Sequence, residues 1–147
     1  MQNMWSEKEA EALAARYAAE GVTRDVADCL YLTHLLGRDK RLVLHGGGNS
    51  SVKTRARDAA GAERDVLCVK VSGADMAVVG PADLPALDLD QLCRLRNLDH
   101  LAEADMRGAQ RACLLDGGAG DPSVETLLHA FLPHKFIAHC HANAVLS

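Results

Sequence analysis

The run Val66-Leu67-Cys68-Val69-Lys70-Val71 constrains the fold more than any other stretch of this chain. A short apolar run rich in valine reads as a strand. Residues 51–55 form a second extended run, and the polar residues 58–65 between them centre on Gly61, so a β-hairpin is expected. Ser72-Gly73 ends it. Upstream the pattern is helical. Ser6 with Glu9 three residues later is a capping box, Leu13 and Tyr17 recur at helical spacing, and Gly21 is the expected C-cap. A second helix is expected from Thr23 or Asp25, with Val26, Cys29, Leu30, Thr33 and Leu36 on about one face and Gly37 closing it. Helices that precede strands mixed with further helices point to the α/β class.

The remaining punctuation is clear. Leu42-Val43-Leu44-His45 reads as a short strand, broken by Gly46-Gly47-Gly48-Asn49. Pro81 and Pro85 mark a loop. Residues 90–114 are expected to be helical, with Leu92, Leu95, Leu98, Leu101 and Ala102 facing one way. A glycine-rich break follows at 116–121. Ser123 is the expected N-cap of a helix running to about Leu132, and Pro133 stops it. Residues 135–141 are extended, with Phe136, Ala138 and Cys140 on one face and Ile137, His139 and His141 on the other. A helix begins in 142–147. A strand carrying two histidines and a helix barely begun are a poor place for a domain to stop. The chain 1–147 is therefore expected to be the N-terminal portion of a larger domain.

Composition narrows the function. Aromatic residues are 3% of the 147, so the core must be built from Leu, Val and Ala, which argues against a base-stacking single-strand binder. The net charge is −4 with no basic stripe, which argues against nucleic-acid and anionic-membrane partners. Any phosphate must be held locally. No apolar run approaches the roughly 18 residues needed to span a bilayer, and 1–20 has no signal-peptide core. The cysteines number five and include no CxxC, so neither a disulfide framework nor a cysteine-rich zinc site is expected, and a reducing cytoplasm fits best.

Four motifs can carry chemistry. In a strand, residues i and i+2 share a face, so His139 and His141 stand side by side and can share a metal ion. The same pattern also serves plain sheet packing. Pro122-Ser123-Val124-Glu125 opens a helix, where free backbone N–H groups suit an anion and Glu125 gains from the helix dipole; an ordinary capped helix has the same sequence. His129 lies at i+4 from Glu125 on the same helical face, as a ligand or as a packing and orienting group. The loop 46–51 is neither a P-loop nor a dinucleotide fingerprint. It is a turn whose backbone can approach a ligand closely, with Asn49 and Ser51 able to donate hydrogen bonds to phosphate or hydroxyl oxygens; a plain tight turn needing positive φ has the same sequence. Ser72-Gly73 ends its strand in the same manner.

Taken in order, Gly48-Asn49-x-Ser51, Ser72-Gly73 after a strand, Pro122-Ser123-x-Glu125 and His139-x-His141 resemble the class II aldolase/adducin family, from about Leu30 to the last residue. The text from Pro122 to Pro133, His139-Cys140-His141-Ala142-Asn143-Ala144-Val145-Leu146, and the long insert 75–121 are most similar to one branch. That branch is the aldolase half of bifunctional proteins joining rhamnulose-1-phosphate aldolase to a short-chain dehydrogenase.

The resemblance implies a three-layer α/β/α domain around a mostly antiparallel sheet, incomplete at its C-terminal end. It implies His139 and His141 as two of three zinc ligands and Glu125 as the catalytic base. Gly48, Asn49, Ser72, Gly73 and Ser123 would line the phosphate pocket of a small-molecule sugar phosphate. The implied reaction is retro-aldol cleavage of a ketose 1-phosphate through a metal-stabilised enediolate, by a homo-oligomer, commonly a tetramer. Two positions depart from the family. Val124 stands where many members carry a second serine, and the third histidine ligand lies beyond Ser147, so weak zinc binding and an inactive fragment are expected. A sugar-phosphate dehydratase or epimerase of the same fold, or an adducin-like non-catalytic module, are the competing expectations.

Overall fold

The computed structural model describes residues 3–44 and 46–142. His45 and residues 143–147, where the last expected helix falls, lie outside them. The element order is α1 (Glu7–Ala18), α2 (Arg24–Arg38), β1 (Asn49–Arg57), β2 (Glu63–Val69), β3 (Ala86–Asp88), α3 (Leu89–Arg94), α4 (Glu103–Ala112), α5 (Thr126–Phe131) and β4 (Phe136–His139). The strands form one four-stranded sheet in the order β3-β2-β1-β4, antiparallel at every pairing.

Both N-terminal helices start where the sequence places them. Ser6 Oγ accepts from the Glu9 backbone and Thr23 Oγ1 from the Val26 backbone. The expected reciprocal arm of the capping box is replaced. The Tyr31 hydroxyl accepts from the Ser6 N–H at 3.2 Å and donates to the Glu9 carboxylate at 2.6 Å, which ties α1 to α2. Gly37 does not close α2, which continues to Arg38. Its role is close approach: a methyl group there would stand 2.3 Å from the Ala77 backbone N.

The period of two in β1 and β2 builds three layers. Val52, Val66 and Cys68 pack with Cys29 and Leu30 of α2 and with Tyr17 of α1 on one side of the sheet. Leu67 and Val69 pack with Leu87, Leu92 and Ala130 on the other. Each fully buried leucine of this second core contributes about 2 kcal/mol. Helices therefore cover both faces, and the α/β/α expectation holds.

Four local expectations are corrected. Residues 42–44 do not form a strand: Leu42 lies in a turn, and the Leu42 and Val43 N–H groups both bond to the Asp39 carbonyl. The strand β2 ends at Val69, although Val71 makes an isolated bridge to Pro122. β3, unforeseen behind Pro85, pairs Leu87 with Leu67, and Asp88 caps α3. The expected helix over 90–114 is broken between α3 and α4. Leucines spaced by three fall back about 60° per step on an α-helix, so a straight helix would turn Leu101 opposite Leu92. Leu92 is buried and Leu98 is half exposed.

Candidate metal centre

The register of β1 against β4 assembles the site. Asn49 pairs with His139 and Ser51 with Ile137, so all four share the face beneath α5. Ser50 and Val52 point the other way, and Ser50 Oγ meets Thr33 of α2 at 2.6 Å. Gly48 lets β1 begin so close to β4. Its φ is +74°, and a Cβ there would stand 2.9 Å from both the His139 carbonyl and the Met76 sulfur.

Glu125 enters from the opposite layer. The segment before α5 is a turn, not the helical start expected at Ser123. The Thr126 N–H and hydroxyl both bond to the Ser123 carbonyl, and the Glu125 N–H donates to Ser123 Oγ. This delays the helix and makes Glu125 its N-cap, at φ −89° and ψ 4°. Asn49 Nδ2 donates to Glu125 Oε2 at 3.3 Å. His139 Nδ1 lies 3.0 Å from the same oxygen and His141 Nε2 3.9 Å from Oε1. The imidazole centroids of His139 and His141 are 4.8 Å apart. The structure thus brings together Glu125, His139 and His141.

His129 is the group whose place the sequence left open. It is fully buried on α5, and its Nδ1 lies 2.7 Å from Ser51 Oγ. Its Nε2 has no hydrogen-bond partner, and neither does His139 Nδ1, whose 3.0 Å approach to Glu125 lacks the alignment of a hydrogen bond. Ligand atoms of Glu125, His129 and His139 lie within 4.8 Å of one another. Burial pushes the His129 imidazole down to about 4, so the ring is neutral at pH 7. A neutral imidazole fixed through one nitrogen with the other left bare is the form in which histidine binds a metal. Two nitrogens and a carboxylate oxygen suit zinc, and unpartnered buried nitrogens are what an ion would satisfy.

The five residues assigned to a phosphate pocket do not converge. Asn49 is spent on Glu125 and on the Ser50 N–H. Gly48 backs onto β4, and Ser123 Oγ caps Glu125. Ser72 gives its backbone N–H to the Asp121 carbonyl, while Gly73 is exposed with open space where a side chain would be. Lys70 orders this loop from below. It is buried, and its Nζ donates to the carbonyls of Val71 and Ala74 at 3.1 and 2.7 Å. Burial pushes the ammonium pKa down, and the Glu125 charge partly opposes that.

Residues 27–147 match the class II aldolase and adducin N-terminal domain. The chain belongs to that family. A solved structure, the N-terminal class II aldolase domain of a conserved protein from Thermoplasma acidophilum, superposes over 99% of the chain and 62% of its own length, with a TM-score of 0.85 and 36% identity. An uncharacterized oxidoreductase of Bacillus subtilis (strain 168), YuxG, is 36% identical over 129 residues, or 88% of the chain. The chain spans 19% of that protein's length. A relative named as an oxidoreductase and matched over a minor part agrees with the resemblance to aldolase halves joined to a dehydrogenase. No helix among the described residues is long and apolar enough to cross a membrane.

Proposed function

We propose that this class II aldolase domain is a zinc-dependent aldehyde-lyase that cleaves a ketose 1-phosphate of the rhamnulose-1-phosphate kind. One observation carries this: Glu125, His129 and His139 present ligand atoms within 4.8 Å of one another, and two of the nitrogens have no hydrogen-bond partner. His129 and His139 would hold the ion, with Glu125 as a further ligand only while substrate is absent, and His141 stands beside them. The expectation of weak zinc binding counted two histidines; His129 supplies a further nitrogen from within the chain.

Zinc bound there supplies a Lewis acid for the ketose carbonyl and for the negative charge that develops as the C3–C4 bond breaks. The chain's residues do the rest. Ser51 fixes the His129 ring, and Asn49 holds Glu125 Oε2 in place. Glu125 carries the proton at the reacting carbon, from a partly exposed position that substrate can reach. Ser72 and Gly73, exposed at the end of their loop, would meet the substrate phosphate, while Gly48, Asn49 and Ser123 support the β1–β4 pairing and Glu125 instead.

Self-association belongs to the same proposal. β4 is the outer strand of the described sheet, and Val124, Leu128 and Phe136 are exposed around it. Light scattering of a tetramer supports this, and a monomer opposes it.

The test is product analysis after the zinc-loaded protein, in its longest expressed form, meets L-rhamnulose 1-phosphate. Release of dihydroxyacetone phosphate and an aldehyde supports the assignment. Loss of water with the carbon chain intact, or a change of configuration alone, assigns a dehydratase or an epimerase instead.

A further inference from the structure

The first three residues of β1, Asn49, Ser50 and Ser51, are polar and fully buried. Strand alternation sends Asn49 and Ser51 toward α5, where they hold Glu125 and His129, and Ser50 toward α2. Ser50 shares that face with Val52, which packs with Cys29 and Leu30 in an apolar core. Packing alone would continue that core with apolar residues at 50 and at Thr33, which is also fully buried. The direction of the bond between the two hydroxyls follows from counting protons. Thr33 has one hydroxyl hydrogen and gives it to the Cys29 carbonyl at 2.6 Å. Thr33 can therefore only accept from Ser50, whose Oγ lies 2.6 Å away. Burial pushes the Cys29 thiol beside them up to about 12, so it stays neutral and its charge does not compete for the pair.

We infer that Ser50 and Thr33 are positioning residues for the metal centre: they pin the start of β1 to α2 and so set where Asn49 and Ser51 hold Glu125 and His129. β1 begins directly after the turn at Gly48, and the ends of elements are where local opening is easiest. The pin acts at that end. The Ser50 N–H donates to Asn49 Oδ1 at 2.9 Å, so fixing Ser50 also fixes the Asn49 amide with its Nδ2 toward Glu125 Oε2. Ser51 follows on the same backbone and reaches His129 Nδ1. A line of hydrogen bonds thus crosses the sheet from the Cys29 carbonyl of α2 through Thr33, Ser50 and Asn49 to the Glu125 carboxylate. A buried polar network specifies one arrangement when its members are partnered, as these are. The inference rests on the metal-centre reading above and extends it to the opposite layer of the domain.

The experiment compares Thr33→Val, which keeps the shape and removes the hydroxyl, with Thr33→Ser, which keeps the hydroxyl and removes a methyl. Two readouts are taken at pH 7: zinc affinity against a chromophoric chelator, and, without zinc, the NMR signals of the Asn49 side-chain amide and the His129 ring. Thr33→Val is expected to weaken zinc binding on the order of tenfold, the cost of disturbing groups behind a ligand, and to move both signals. Thr33→Ser is expected to match the parent in both readouts, even where it unfolds at lower urea. Ser50→Ala removes the same bond from the other side, should behave as Thr33→Val does, and serves in its place where Thr33→Val does not fold. Parent-like zinc affinity in Thr33→Val, or a loss of affinity with unmoved signals, overturns the positioning role and leaves the metal centre standing. Equal losses in Thr33→Ser overturn it too, because packing then accounts for both. A parent that takes up no zinc, while Thr33→Val and not Thr33→Ser moves the Asn49 and His129 signals, removes the metal centre and keeps the positioning.

Discussion

His139 Nδ1 and Glu125 Oε2 stand 3.0 Å apart without a hydrogen bond between them. They come from the two ends of one helix–strand unit, the N-cap of α5 and the last residue of β4. The buried Nε2 of His129 is likewise bare. Groups this polar are normally partnered when buried, and a divalent cation among them accounts for both vacant nitrogens at once.

Glu125→Gln separates proton transfer from metal binding. The amide keeps the size of the side chain and the bond from Asn49 can be replaced, but it cannot carry the proton. Carbon–carbon cleavage is expected to fall by roughly 10²–10⁴-fold while the histidines retain zinc. Steady-state rates beside a zinc titration check this, and a variant as active as the parent removes Glu125 from the mechanism.

Gly37→Ala should destabilise the protein even though alanine favours helices. The added methyl meets the backbone of Met76 and Ala77, which cannot swing aside as a side chain can. A loss of about 2 kcal/mol in urea unfolding is expected, of the size seen for overpacking. A gain of up to about 1 kcal/mol, the propensity difference alone, would show that the 76–77 segment gives way freely.

Asp25 links the layers with a pH-dependent bond. It accepts from Thr54 Oγ1 of β1 at 2.7 Å and pairs with Lys135 at 2.8 Å. Burial opposes its ionisation, but the bonds from Lys135 and Thr54 outweigh burial and hold the carboxyl below its usual range. A carboxyl depressed in the folded state stabilises fully above its unfolded pKa and loses that contribution as pH falls through the folded value. Asp25→Asn is therefore expected to cost about 1 kcal/mol at pH 7, and the gap from the parent should close as the pH falls below the ordinary aspartate range. Unfolding at both pH values tests it; a gap independent of pH contradicts it.

What the sequence made legible is what local chemistry decides. Ser6 and Thr23 cap their helices, the hairpin turns about Gly61, and His139 and His141 stand side by side as expected, although β4 ends at His139 and the extended run does not reach His141 as a strand. What it hid depends on contacts made from afar. The 90–114 stretch breaks because its leucine spacing cannot serve one core. β3 is too short to show and exists through pairing with β2. The helix after Pro122 starts late because Ser123 bonds its own neighbours. His129 was visible at i+4 from Glu125, but its part in the cluster follows from Ser51 and from the pairing of β1 with β4, which no spacing along the chain reports.

Zinc titration of the purified chain, read by a competing chromophoric chelator on the parent and on His139→Ala and His129→Ala, probes the metal centre most directly. About one ion per chain is expected to bind the parent, with each alanine variant losing on the order of tenfold or more in affinity. A parent that takes up no zinc, or variants that bind it as tightly as the parent, would contradict the assignment of this cluster as a metal centre.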